Sequence, residues 1–110
     1  VNIELLYFDG CPNWRRARRH VVEALAQIGR PDVAVTPRVI ESDEHAYSER
    51  FIGSPTIRID GVDPFDAEDA VEFGLACRVY STPRGAAGVP TVEQLVVVLT
   101  TESARTSSSA

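Results

Sequence analysis

"YFDGCPNW", residues 7–14, is the stretch on which the reading of the chain turns. To its left, "VNIELLYF" (1–8) is a near-continuous apolar run rich in strand formers, the pattern of a strand covered on both faces and therefore central. To its right the period changes. Trp14, Ala17, Val21, Leu25 and Ile28 recur at three and four residues, while Arg15, Arg16, Arg18, Arg19, Glu23 and Gln27 fill the other face, which predicts an amphipathic helix. Pro12 suits its first turn, where no backbone donor is needed, and "IGRPD" (28–32) closes it with Gly29 and Pro31. Cys11 thus stands where a buried strand hands over to a helix.

Beyond this helix, "VAVTPRVI" (33–40) reads as a second strand, and Pro37 within it removes a ladder donor, which assigns that strand to a sheet edge or a bulge. Ser42 heads "SDEHAYSERF" (42–51), whose early acids favour a short helix. A third strand is expected from about Thr56 to Asp60 in "GSPTIRIDG" (53–61), with a Gly-Ser-Pro entry and an Asp-Gly exit. The first strand, its helix and the second strand should form a right-handed parallel unit. "VDPFDAEDAVEFG" (62–74) is a local insertion in which Asp66 could cap a turn or two of helix. "LACRVY" (75–80) alternates Leu75, Cys77 and Val79 against Ala76, Arg78 and Tyr80, so it reads as a fourth strand, and "STPRGAAGVP" (81–90) as a Gly/Pro-rich loop. Thr91 and Gln94 fit a capping box, with Val92, Leu95, Val96 and Leu99 making the apolar stripe of a last helix. One domain over residues 1–102 is expected, followed by a disordered tail, 103–110, with nothing to bury.

Charge and composition narrow the function classes. The net charge is −5, but residues 1–30 hold five Arg against three acids, while residues 31–75 hold three Arg against eleven. Most of the surface should be acidic, which disfavours nucleic acid as a partner; the exception is "WRRARRH" (14–20), directly after Cys11. No apolar run approaches the ~20 residues that span a bilayer, and the first residues lack the order of a signal peptide, so no membrane partner and a soluble, cytoplasmic location are expected. Two cysteines in such a chain read as free thiols. His20 and His45 have no ligand-like spacing, and neither a metal nor a cofactor is assigned.

The order βαβα then ββα, with Cys11 at the first strand-to-helix junction and Pro55 opening the third strand in "GSPTIRID", resembles the thioredoxin-like fold over about residues 2–101. The resemblance implies an α/β fold with a four-stranded mixed sheet, order 2-1-3-4, flanked by about three helices. It also implies that Cys11 is the nucleophile and that Pro55 is cis and faces it. The chain departs from the family where the usual second cysteine, three residues on, is Trp14. What remains resembles the monothiol arrangement of some glutaredoxins and thiol transferases, in which a small thiol completes the cycle. Cys77 does not replace the missing partner: first and fourth strands of that topology lie about 10 Å apart, and a disulfide needs Cα atoms roughly 4.4–6.8 Å apart.

A thiolate is the reactive form of cysteine, and helix N-termini and nearby cations favour it. Arg15, on the helix that follows, would add positive charge near Cys11, and Asp9 would oppose it. Trp14 belongs to the apolar stripe of its helix, where the core claims it, yet it stands in the first turn beside the thiol, where it could meet a substrate. Ser54 and Pro55 would align the substrate, and Arg84 with the glycine-rich loop could hold its carboxylate or peptide part. Three functions are therefore open. One is thiol–disulfide exchange by a monothiol oxidoreductase, with a low-molecular-weight thiol or a protein disulfide as partner. Another is a non-catalytic thioredoxin-like binding module with Cys11 incidental. The third is a soft-metal thiol protein distantly similar to alkylmercury lyases, in which Cys11, Cys77 and Asp9 would be the two sulfurs and the proton donor.

Overall fold

In the computed structural model the described residues are 2–65, 75 and 78–108, with side chains of the last helix described through residue 101. β1 (Ile3–Tyr7) lies between β2 (Val35–Val39) and β3 (Thr56–Ile59), parallel to β2 and antiparallel to β3. The central place expected for β1 and the edge place expected for β2 are both observed, and Pro37, opposite Leu5, lies on the edge strand that tolerates its missing donor.

β1 is apolar but for Glu4, which pairs with Arg38 on the neighbouring β2, because both its faces are covered. Ile3 and Leu5 point with Ile57 and Ile59 into a core closed by α1 (Trp14–Gln27) and α3 (Val92–Ser108) through Ala17, Val21, Ala24, Leu25, Leu95 and Leu99. Leu6 faces the other way, into a smaller core with Ile40, Phe51 and Ala46 of α2 (Asp43–Ser48). Helix boundaries follow local chemistry. Gly29, with φ of 77°, ends α1 in a Schellman arrangement: its own N–H donates to Ala26 (3.2 Å) and that of Arg30 to Leu25 (2.8 Å). Ser42 caps α2 by accepting from the His45 N–H at 3.0 Å. Thr91 and Gln94 exchange two hydrogen bonds, 2.9 and 3.1 Å, as a capping box for α3. α1 itself begins two residues later than Pro12, after Asn13.

Among the described residues the expected fourth strand does not join the sheet. Asp60 and Gly61, both at positive φ, make a two-residue turn that returns Val62 against Ile59 through two backbone hydrogen bonds. Pro55 supplies no donor to the same edge. Among the described residues, a single backbone bond ties the 78–80 segment to the entry of β3, from the Arg78 N–H to the Ser54 carbonyl at 2.9 Å. Tyr80 instead begins β4 (Tyr80–Thr82), which pairs with β5 (Gly85–Ala87) in a separate two-stranded sheet. The stretch 81–90, expected as a loop, is therefore largely a hairpin. Its tip is fixed by Thr82, whose hydroxyl donates to the Gly85 carbonyl at 2.6 Å and accepts from the Arg84 N–H at 3.2 Å. The result is a mixed α/β protein with a three-stranded sheet, a two-stranded sheet and three helices among the described residues. Asp66 as a helix cap, and most of the 62–74 insertion, lie outside the described residues, as does Cys77. Among the described residues no helix is long and apolar enough to cross a membrane.

Candidate functional site

Cys11 sits in the connection between β1 and α1, where its N–H donates to the Phe8 carbonyl at 3.0 Å and closes a tight turn. The turn folds the side chain inward, so Cys11 is 5% exposed while its neighbours Asp9 and Pro12 are exposed. Asn13 precedes the helix without capping it through its side chain, which rests against the backbone of Gly88. The exit of the β4–β5 hairpin is thereby held at the Cys11 end of α1. Trp14 is half-buried: its ring stacks on Tyr7 at 4.2 Å between centroids and packs on the larger core, and the Arg15 guanidinium approaches it at 5.0 Å. The core role of Trp14 is thus observed, and Arg15 is engaged with the indole.

Ser54 and Pro55 enter β3 fully buried, and the peptide bond joining them is cis. The Tyr80 hydroxyl donates to the Pro55 carbonyl. Burial holds the Tyr80 phenol well above its ordinary range; the Arg78 guanidinium lowers it, and Asp63 and Cys11 raise it further. Cys11 is thus within electrostatic reach of Tyr80, and Tyr80 binds Pro55. Segments 54–55 and 80 meet through that bond, and the register that sets Leu6 opposite Thr56 brings the exit of β1, followed by Cys11, to the same end of the sheet. Ser54 adds an oddity: its hydroxyl is fully buried and has no hydrogen-bond partner among the described residues.

Arg84 is not part of this group. It stands at the hairpin tip and lines an open cleft of about 440 Å³ on the flank of α1, with His20, Glu23, Thr91 and Glu93. His20 is anchored there by its Nδ1, which donates to the Pro90 carbonyl at 2.8 Å.

Three residues linked to Pro55 carry no clear mark in the sequence. Arg78 is 8% exposed and pairs with Asp63; it also donates to the Phe65 carbonyl (2.5 Å) and to Thr56 Oγ1 (3.4 Å), and lies 4.5 Å from the Tyr80 ring centroid. The alternation of "LACRVY" places Arg78 and Tyr80 on one side of the chain, and an arginine next to a tyrosine on that side is the one signal available. Fourteen intervening residues conceal the link to Asp63.

The neutral phenol of Tyr80 has a consequence for alkaline stability. The folded protein keeps this proton to a higher pH than the unfolded chain, so the contribution is complete below about pH 10 and is lost as the pH rises above it. The urea midpoint should fall between about pH 8 and pH 11, and by less in Tyr80→Phe. The same fall in both proteins would show that Tyr80 is not responsible.

Chemically, this end of the sheet holds a buried free thiol, a buried hydroxyl with no partner among the described residues, and a Pro55 carbonyl that accepts from Tyr80. Among the described residues no group of three or more His, Cys, Asp or Glu side chains is arranged to hold a metal ion. The pairing of Cys11 with Cys77 required for carbon–mercury chemistry falls outside them. No family model matches the chain, and no curated protein or solved structure matches it either.

Proposed function

We propose that this chain is a thioredoxin-like protein whose Cys11 carries out thiol–disulfide exchange, with a low-molecular-weight thiol as second substrate. One observation carries the reading: the register that sets Leu6 opposite Thr56 brings the exit of β1, and the Cys11 turn that follows it, to the same end of the sheet as the Ser54–Pro55 entry of β3. A nucleophile between a helix start and a rigid backbone segment can hold a disulfide for in-line attack. The Cys11 thiolate attacks one sulfur of a substrate disulfide; that S–S bond breaks, a mixed disulfide forms on Cys11, and the other sulfur leaves as a thiolate that takes a proton from water. A small thiolate then attacks the mixed disulfide at the substrate sulfur, restores the Cys11 thiolate and departs joined to that sulfur as a new disulfide, so each cycle consumes one small thiol and passes the S–S bond to it.

The burial of Cys11 favours one competing reading, a thioredoxin-like binding module in which the sulfur is inert packing. Reaction with 2,2′-dithiodipyridine separates the two. Reduced Cys77→Ser protein should release one equivalent of thiopyridone at least as fast as the same chain in urea, and the Cys11→Ser, Cys77→Ser protein should release none. Added 2-mercaptoethanol should then regenerate the thiol. A folded-state rate about tenfold or more below that of the unfolded chain would eliminate exchange at Cys11 and leave the binding module.

A further inference from the structure

The first turns of α1 are built against the helix's own stability. Arg15, Arg16, Arg18 and Arg19 are all exposed, and the pairs 15/18, 15/19 and 16/19 stand at the three- and four-residue spacings where like charges repel. They crowd the positive end of the helix dipole, and the first turn holds no acid to offset them. Among the described residues none of the four makes an ion pair; Glu23, one turn beyond Arg19, does not reach it, and the contact of Arg15 is with the Trp14 ring. Elsewhere the arginines Arg38, Arg58 and Arg78 are each paired with a carboxylate. On a chain of net charge −5, this basic stripe is without a carboxylate partner among the described residues.

From this stripe we infer a docking face for an acidic peptide segment, and, resting on the exchange reading above, that segment is the one carrying the disulfide that Cys11 attacks. Its extent favours a peptide over a small thiol. The stripe runs from the Cys11 end of α1 to Val22, which is 52% exposed, and the seven rises from Arg15 to Val22 span about 10 Å, matching about three extended residues. Acidic side chains would meet the four guanidiniums and an apolar one would meet Val22. A long polyanion fits poorly, because beyond this stripe it would meet the acid-rich remainder of the chain.

Trp14, the one tryptophan of the chain, lies against Arg15 and reports on the face directly. Its fluorescence should respond to a cysteine-free hexapeptide bearing four glutamates, with affinity about tenfold above that of the glutamine version. That preference should disappear in Arg18→Gln, Arg19→Gln protein and in concentrated salt; Arg16→Gln, Arg19→Gln is the second variant should the first not fold. Equal affinity for the two peptides, a preference that survives both variants, or tighter binding of a six-nucleotide oligothymidylate would overturn the inference. The same peptides carrying a cysteine–thiopyridine mixed disulfide, tested on Cys77→Ser protein, separate the two proposals. Peptide preference with an inert Cys11 sustains the docking face and removes exchange; a reactive Cys11 with no preference sustains exchange and removes the docking face.

Discussion

Replacing Arg78 with alanine should destabilise the protein by about 3–5 kcal/mol, measured as the loss of unfolding free energy in urea. The side chains of Arg78 and Asp63 are only 7% and 12% exposed, so neither ion of the pair is well hydrated. Removing the guanidinium strands the Asp63 carboxylate, empties the position against the Tyr80 ring, and leaves the Phe65 carbonyl and Thr56 hydroxyl without that donor. The uncompensated carboxylate is the largest of these costs, which sets a second expectation. Arg78→Met combined with Asp63→Leu should recover most of the loss, because it removes both charges and keeps the volume. A single-variant loss under about 1 kcal/mol would mean that the pair behaves as a solvated surface bridge. The double variant also has a functional reading: if Arg78 fixes the Pro55 entry of β3 through Tyr80, thiopyridone release should change even where stability is restored.

Gly53→Ala should cost about 3 kcal/mol, with strain and overpacking acting together. Gly53 has φ of 149°, in a region L side chains seldom occupy, and a Cβ built there would lie 2.9 Å from Arg78 Cβ and 3.1 Å from Arg78 Cα. The Cα is backbone, and Arg78 is held by its N–H bond to Ser54, so the obstruction cannot turn aside. Gly88→Ala is the informative contrast. Its Cβ would fall 2.3 Å from Asn13 Nδ2, a closer contact on paper, yet that amide ends a side chain that makes no capping bond and can rotate away. Urea denaturation should therefore rank Gly53→Ala far below Gly88→Ala; the reverse order would show that the 53–78 contact is soft.

Much of the architecture is legible along the chain, and for identifiable reasons. The apolar run of β1 signals burial on both faces, and both cores are found on it. Pro37 marks the sheet edge, and Gly29, Ser42 and the Thr91–Gln94 pair set three helix ends, because turns and caps are decided within about four residues. The alternation of 75–80 was a weaker guide. It describes a segment able to form a strand but not which edge that strand will join, and the Asp60–Gly61 turn and Pro55 between them deny it the edge of β3.

The candidate site divides in the same way. Cys11 stands out in the sequence because its neighbours, an apolar strand and an amphipathic helix, announce a junction. Its companions are a matter of tertiary structure. Arg84 reads locally as a residue near the thiol, yet hairpin pairing carries it to the cleft beside His20. Arg78, Asp63 and Tyr80 read locally as ordinary surface and strand residues, yet burial joins them behind Pro55. Local pattern suffices for β1, β2, β3 and the three helices, since short-range sterics and hydrophobic period act on neighbours, but not for the β4–β5 hairpin. The burial of Arg78 with Asp63 and the bond from Tyr80 to Pro55 come from long-range packing, which joins residues that no local pattern links.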